Sequence, residues 1–294
     1  MISYLYIIIA GILSGIIVFG GQVFANKGLS ALEISVIPFA ISGLMLLPFV
    51  LLKKEFRAKK GILALLILYG IVSAVTIVGQ YFSLYFGIPV AIVVLLLYVQ
   101  PLWTTLICKF GFKEKISRRE IFACSIVLLG VSILVNPFRS FGSYNIIGLI
   151  LATLGGISLS GWIITGSVLS KKGNSPISSQ FFGVSFTVLL LVLLMPFLKN
   201  LGLSQSLISF DLNFSKIVWL WLVVFSIFAI TINQILYLQG VKKVSAVDAG
   251  IIMLLEPIVG AILASLFLHQ ILSVNIVIGG ILILVANYMV ITKQ

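Results

Sequence analysis

Glu256 stands directly before Pro257 near the middle of a long apolar run, where an ionised side chain costs about 2.5 to 3.5 kcal/mol on insertion scales. A carboxyl group at that depth has two uses. It takes up and releases a proton or cation and couples that event to a solute, or it stays neutral and donates to a neighbouring helix, locking the bend that proline introduces. Gln100 precedes Pro101 in the same manner, and a neutral amide can do the second job, so both readings stay open. Pro101 and Pro257 are candidate hinges, with a static kink as the alternative.

Other polar side chains inside apolar runs should avoid lipid and face the bundle interior or a wet cavity. The candidate substrate-binding set is Gln80, Tyr81, Tyr98, Gln100, Trp162, Asn233, Gln234, Tyr237 and Glu256. Gln22, Trp103 and Gln180 are inward-facing for the same reason. Asn233 and Tyr237, four residues apart, share a helix face, as do Tyr81 and Tyr85. For the latter pair an interfacial aromatic belt is the competing reading, and Trp219 and Trp221 read as belt residues outright. Tyr98 and Trp162 lie deeper and could stack on an apolar part of a solute, with interhelical packing as the competitor. Asp248 lies near Lys242 and Lys243, so it is expected to be solvated.

No catalytic constellation accompanies these residues. His269 is the only histidine, and neither a Walker A loop nor an HExxH pair occurs, which speaks against an enzyme, a metal site, a cofactor or ATP-driven work. Cys108 and Cys124 flank a basic loop, so no disulfide is expected. Apart from Arg118, Arg119 and Lys216 at their ends, the apolar runs contain no Lys or Arg, hence no buried cation to hold a phosphate or a second carboxylate. A neutral, zwitterionic or weakly cationic organic solute fits better.

The elements that must hold these side chains follow from composition. Of 294 residues, 61% are hydrophobic and 9% charged, whereas soluble domains carry about 25% charged residues. Apolar runs long enough to span a bilayer occur at 3–25, 32–52, 62–83, 86–108, 118–136, 145–169, 176–197, 216–240, 244–267 and 273–291. Lipid offers no partner to bare amides, so each run is a helix, and continuous rather than alternating hydrophobicity excludes a β-barrel. The first run has no basic leader and reads as a retained helix.

The formal net charge of +12 reflects short tracts between runs and not a nucleic-acid surface. With ten spans, the loops on the side of the termini collect fifteen Lys and Arg, in the tracts 53–60, 109–119, 171–172, 242–243 and at Lys293. The opposite side collects four, Lys27, Arg139, Lys199 and Lys216. That asymmetry places both termini in the cytoplasm of a multi-pass protein of the cytoplasmic membrane.

An offset of 156 residues brings Val99-Gln100-Pro101 onto Leu255-Glu256-Pro257 and Ile116-Ser117 onto Leu272-Ser273. Other offsets pair Leu46 to Phe49 with Leu194 to Phe197, and Gly15 and Gly20 with Gly156 and Gly161. The chain thus divides into residues 1–140 and 141–294, two five-helix halves. Five is odd, so the second half enters the membrane from the opposite side, and the expected fold is an all-α membrane protein of ten transmembrane helices in two inverted repeats.

The repeated unit, with its Pro-bearing helix (Leu97 to Pro101, Leu254 to Pro257), its apolar-Ser step and its glycines (Gly130, Gly279-Gly280), resembles the EamA-type unit of the drug/metabolite transporter superfamily. The resemblance covers the whole chain. It implies a secondary carrier, often an exporter of amino acids or other metabolites, with a central cavity lined by both halves and worked by alternating access. A channel-like facilitator or membrane-embedded enzyme is the alternative. Members of that family often carry an Arg in the second helix. Ile34 to Pro48 has none, so that residue's role does not transfer. The partners implied are a small-molecule solute and the lipid bilayer, with assembly as a monomer or homodimer left open.

Overall fold

The computed structural model describes residues 2–88, 90–135, 144–200, 208–269 and 272–292, without the side chains of Tyr85, Ala91 and 198–200. Arg139 and Lys293, the side chain of Lys199 and the expected boundary at 140/141 lie outside the described residues. Ten helical units follow one another: α1 (Ile2–Asn26), α2 (Ala31–Leu52), α3 (Leu63–Tyr85), α4 in two segments (Val90–Tyr98 and Gln100–Leu106) closed by a π turn (Ile107–Gly111), and α5 (Arg118–Val135). The second half repeats them as α6 (Ile146–Lys171), α7 (Pro176–Asn200), α8 (Lys216–Phe225, a π stretch Ser226–Ile232, then Asn233–Gly240), α9 (Ala246–Met253 and Leu255–Leu268) and α10 (Val274–Ile291).

Nine of these, among the described residues, are long and apolar enough to cross a membrane. The tenth, α5, begins with Arg118-Arg119-Glu120 and packs along α10. The outer surface is apolar, with Leu44, Leu52, Ile146 and Leu193 exposed, as a lipid-facing belt requires.

Local chemistry sets the helix starts. Ser30 and Glu33 form a reciprocal capping box at α2. The repeated apolar-Ser steps turn out to be caps: Ser117 Oγ accepts from Glu120 N at 3.2 Å while Glu120 Oε2 accepts from Ser117 N at 2.7 Å, and Ser273 Oγ accepts from Ile276 N. In α4 and α9 the sequence predicts continuous helices, whereas the structure breaks each one at Val99 and at Leu254. Pro101 and Pro257 lack the N–H that would bond back across those points, so each ladder is interrupted one turn earlier.

The packing partners reveal the repeat in three dimensions. α2 packs on α7 and α5 on α10, while α3 on α6 corresponds to α8 on α1, and α4 on α6 to α9 on α1. Moving five helices along the chain therefore maps the bundle onto itself. The paired glycines sit at matching crossings: a Cβ on Gly20 would lie 2.5 Å from Phe225 of α8, and one on Gly161 would lie 3.2 Å from Val72 of α3. Small residues let these backbones approach, which is how helices gain contact energy where lipid supplies no hydrophobic drive.

Candidate functional site

The broken helices position the site. The second segment of α4 packs against the first segment of α9. Their other segments are held apart by a cavity of ≈ 690 Å³, whose walls include Val90, Val94 and Tyr98 on one side and Glu256, Gly260 and Ala264 on the other. This cavity reaches Ala25 near the end of α1, Ala31 at the start of α2 and Leu84 at the end of α3. It therefore extends toward the face opposite the N-terminus, called here the distal face. A deeper chamber of ≈ 180 Å³ continues inward, lined by Ser14, Ser73, Gln100, Trp162, Asn233 and Gln234 among others. Thr76, Tyr98 and Glu256 line both spaces.

Below the chamber the bundle is packed shut. Tyr4, Ile7, Leu66, Tyr69, Val241 and Val247 are buried in one apolar cluster toward the face of the termini. Trp162 forms the boundary between chamber and plug, stacked between Tyr69 at 5.6 Å and Tyr237 at 4.7 Å.

Glu256 is partly buried at the junction of the two spaces and accepts a hydrogen bond from the Tyr98 hydroxyl at 3.2 Å. Gln100, its repeat counterpart, is 1% exposed. Its Nε2 donates to Thr104 Oγ1 at 2.7 Å and its carbonyl accepts from Ser160 Oγ at 2.8 Å. Asn233 follows the π stretch of α8 and donates to Ser14 Oγ and to the Ala229 carbonyl, each at 2.9 Å. A π turn re-aims the side chains that follow it, which no periodicity in the sequence signals.

Of the candidate residues, Tyr98, Gln100, Trp162, Asn233, Gln234 and Glu256 thus meet at the chamber. Gln80 and Tyr81 line the larger cavity with Gln22. Tyr237 lies one layer below, fully buried, with its hydroxyl donating to the Ile163 carbonyl at 2.8 Å. Gln180 is also away from the cavities, bonded to the Ile230 carbonyl. Asp248 is not solvated as expected. It is 2% exposed and accepts from Tyr4 OH at 3.0 Å, because the Ser245 cap turns the first turn of α9 inward, past Lys242 and Lys243. Sequence reasoning did not single out Ser14, Ser73 or Thr76. Their only signal is a small hydroxyl inside an apolar run.

A family model described as the EamA-like transporter family matches residues 1–136 and again 146–292, almost the whole chain in two copies. The chain belongs to the EamA-like transporter family. The transporter is similar to an "uncharacterized transporter" of Clostridium kluyveri, 27% identical over 97% of this chain and 91% of that one. Another of that description, from Archaeoglobus fulgidus, is 23% identical over 70% of this chain and 69% of that one. A solved crystal structure with 15% sequence identity superposes with a TM-score of 0.76 over 98% of this chain and 95% of its own, and it shares the fold. The transporter is therefore a multi-pass membrane protein acting on a small molecule and not an enzyme.

Proposed function

We propose that the transporter is a secondary carrier that moves a small organic solute, an amino acid or a similar neutral, zwitterionic or weakly cationic compound, by alternating access. One observation carries this reading: a cavity lined by both repeats extends toward the distal face and ends at Glu256 and Trp162, with the opposite side packed shut. Two inverted halves can exchange such conformations, so the shut side can open when the other closes. A channel-like facilitator fits this less well, because a packed plug several side chains deep separates the chamber from the face of the termini.

Basic tracts on the side of the termini support cytoplasmic termini in the cytoplasmic membrane, which makes the present state outward-facing. Export is the direction that the family resemblance implies. The halves proposed are 1–140 and 141–294, and the binding residues are those that line the chamber, with Tyr237 supporting Trp162 from below and Pro101 and Pro257 as hinges.

Purified protein in liposomes tests the reading. Saturable counterflow of a labelled solute is expected, abolished or made differently pH-dependent by Glu256→Gln without loss of insertion. Non-saturating conductance would overturn the carrier in favour of a channel.

A further inference from the structure

Several hydrogen-bonding groups of the chamber are engaged within the protein: Tyr98 OH on Glu256, Gln100 Nε2 on Thr104, Thr76 Oγ1 on the Val72 carbonyl, and the Asn233 amide nitrogen on Ser14 and Ala229. Ser14, Ser73, Trp162 and Gln234 add neutral polar groups to the wall. Glu256 keeps its second carboxylate oxygen, to which no side chain among the described residues donates. The amide oxygen of Asn233 is buried without a partner. That amide cannot be turned over to supply a donor there, since the Ala229 carbonyl only accepts and holds the nitrogen in place.

The charge is one-sided. Neither cavity is lined by Lys, Arg or His among the described residues, and Glu256 is the one acidic side chain that lines them. A solute carboxylate would leave water for neutral groups beside a carboxylate of the same sign, a desolvation that no charge on the wall offsets. A solute ammonium would meet Glu256 in a charge-assisted hydrogen bond. Ile17, Phe39, Ile77, Leu159 and Met253 supply an apolar part of the lining.

We infer that the solute is a compact organic amine, a primary ammonium on an apolar body without a carboxylate, its nitrogen seated on Glu256. This rests on the carrier reading and narrows it to the cationic end of the solutes considered.

Four compounds with one aromatic body separate the charge classes: phenethylamine, phenylalanine, phenylacetate and phenethyl alcohol. Equilibrium dialysis of each labelled compound against the full-length protein in nanodiscs should show phenethylamine bound at least about tenfold more tightly than the other three, the factor that a charged hydrogen bond contributes. Glu256→Gln should remove about that factor for the amine, and an unchanged thermal unfolding midpoint reports that the variant is folded. Glu256→Asp should retain part of the preference for the amine. Equal or tighter binding of phenylalanine or phenylacetate overturns the inference. So does undiminished amine binding by Glu256→Gln, or the lack of saturable amine binding. Counterflow in liposomes keeps the two readings apart: amine binding without counterflow sinks the carrier and leaves the amine site, while counterflow of phenylalanine in preference to the amine sinks the amine and leaves the carrier.

Discussion

Gln100 and Glu256 hold matching places in the two halves, yet Gln100 is 1% exposed with its amide packed on Gly250, while Glu256 faces the cavity under the Tyr98 hydroxyl. The difference lies in which segments of α4 and α9 are in contact. If the halves exchange conformations, the two residues exchange surroundings. Single-cysteine variants on a background lacking Cys108 and Cys124 test this. Glu256→Cys should react readily with a membrane-impermeant thiol reagent from the distal side, and Gln100→Cys, buried at the inner end of the chamber, much more slowly from there than from the side of the termini. Equal reactivity of both from the distal side would contradict the exchange.

Gly250 lies where α9 meets α4 on the closed side, and a Cβ there would lie 2.5 Å from Gln100 Nε2. Gly250→Ala should disfavour the closed contact by about 1–3 kcal/mol, the usual cost of overpacking. With Gln100 retained, the expected result is slower labelling of Glu256→Cys from the distal side. Unchanged labelling would show that the amide moves aside freely.

Between α3 and α6 the backbones themselves meet: a Cβ on Gly79 would lie 2.6 Å from the Leu151 carbonyl oxygen and 2.8 Å from Gly155 Cα. Backbone cannot rotate away as a side chain can. Gly79→Val should therefore lower thermal stability in detergent, by at least about 1–3 kcal/mol. Gly21, with nothing within 4 Å of its would-be Cβ, should tolerate alanine in the same assay.

The plug also contains polar links between the halves. Tyr4 of α1 donates to Asp248 of α9, and Ser245 of α9 approaches Glu120 of α5 at 3.5 Å. Tyr4→Phe removes the donor from a buried carboxylate, which costs about 1–3 kcal/mol in the closed arrangement. Transport should persist with an altered rate, and Gln100→Cys should become more reactive from the side of the termini. A variant identical to wild type in both respects would confine Tyr4 to packing.

Helix number, the inverted repeat and the transporter class were legible in the sequence because each depends on local or additive properties. Run length is read against bilayer thickness, basic tracts against the interface, and the 156-residue offset of Gln100 and Glu256 against the chain itself. That polar side chains such as Asn233 and Gln234 face inward followed from the cost of exposing them to lipid. Tertiary structure alone decided which of them share a chamber. Asn233 and Tyr237 occupy one helix face, but only the first reaches the cavity, since Tyr237 is capped by Trp162. The π stretch Ser226–Ile232 changes register within α8, and each added residue rotates the following face by about 100°. The burial of Asp248 and the separation of Gln100 from Glu256 depend on how α4 and α9 cross. That crossing is set by long-range packing between halves that look alike in sequence, so no pattern along the chain could have said which side would be open.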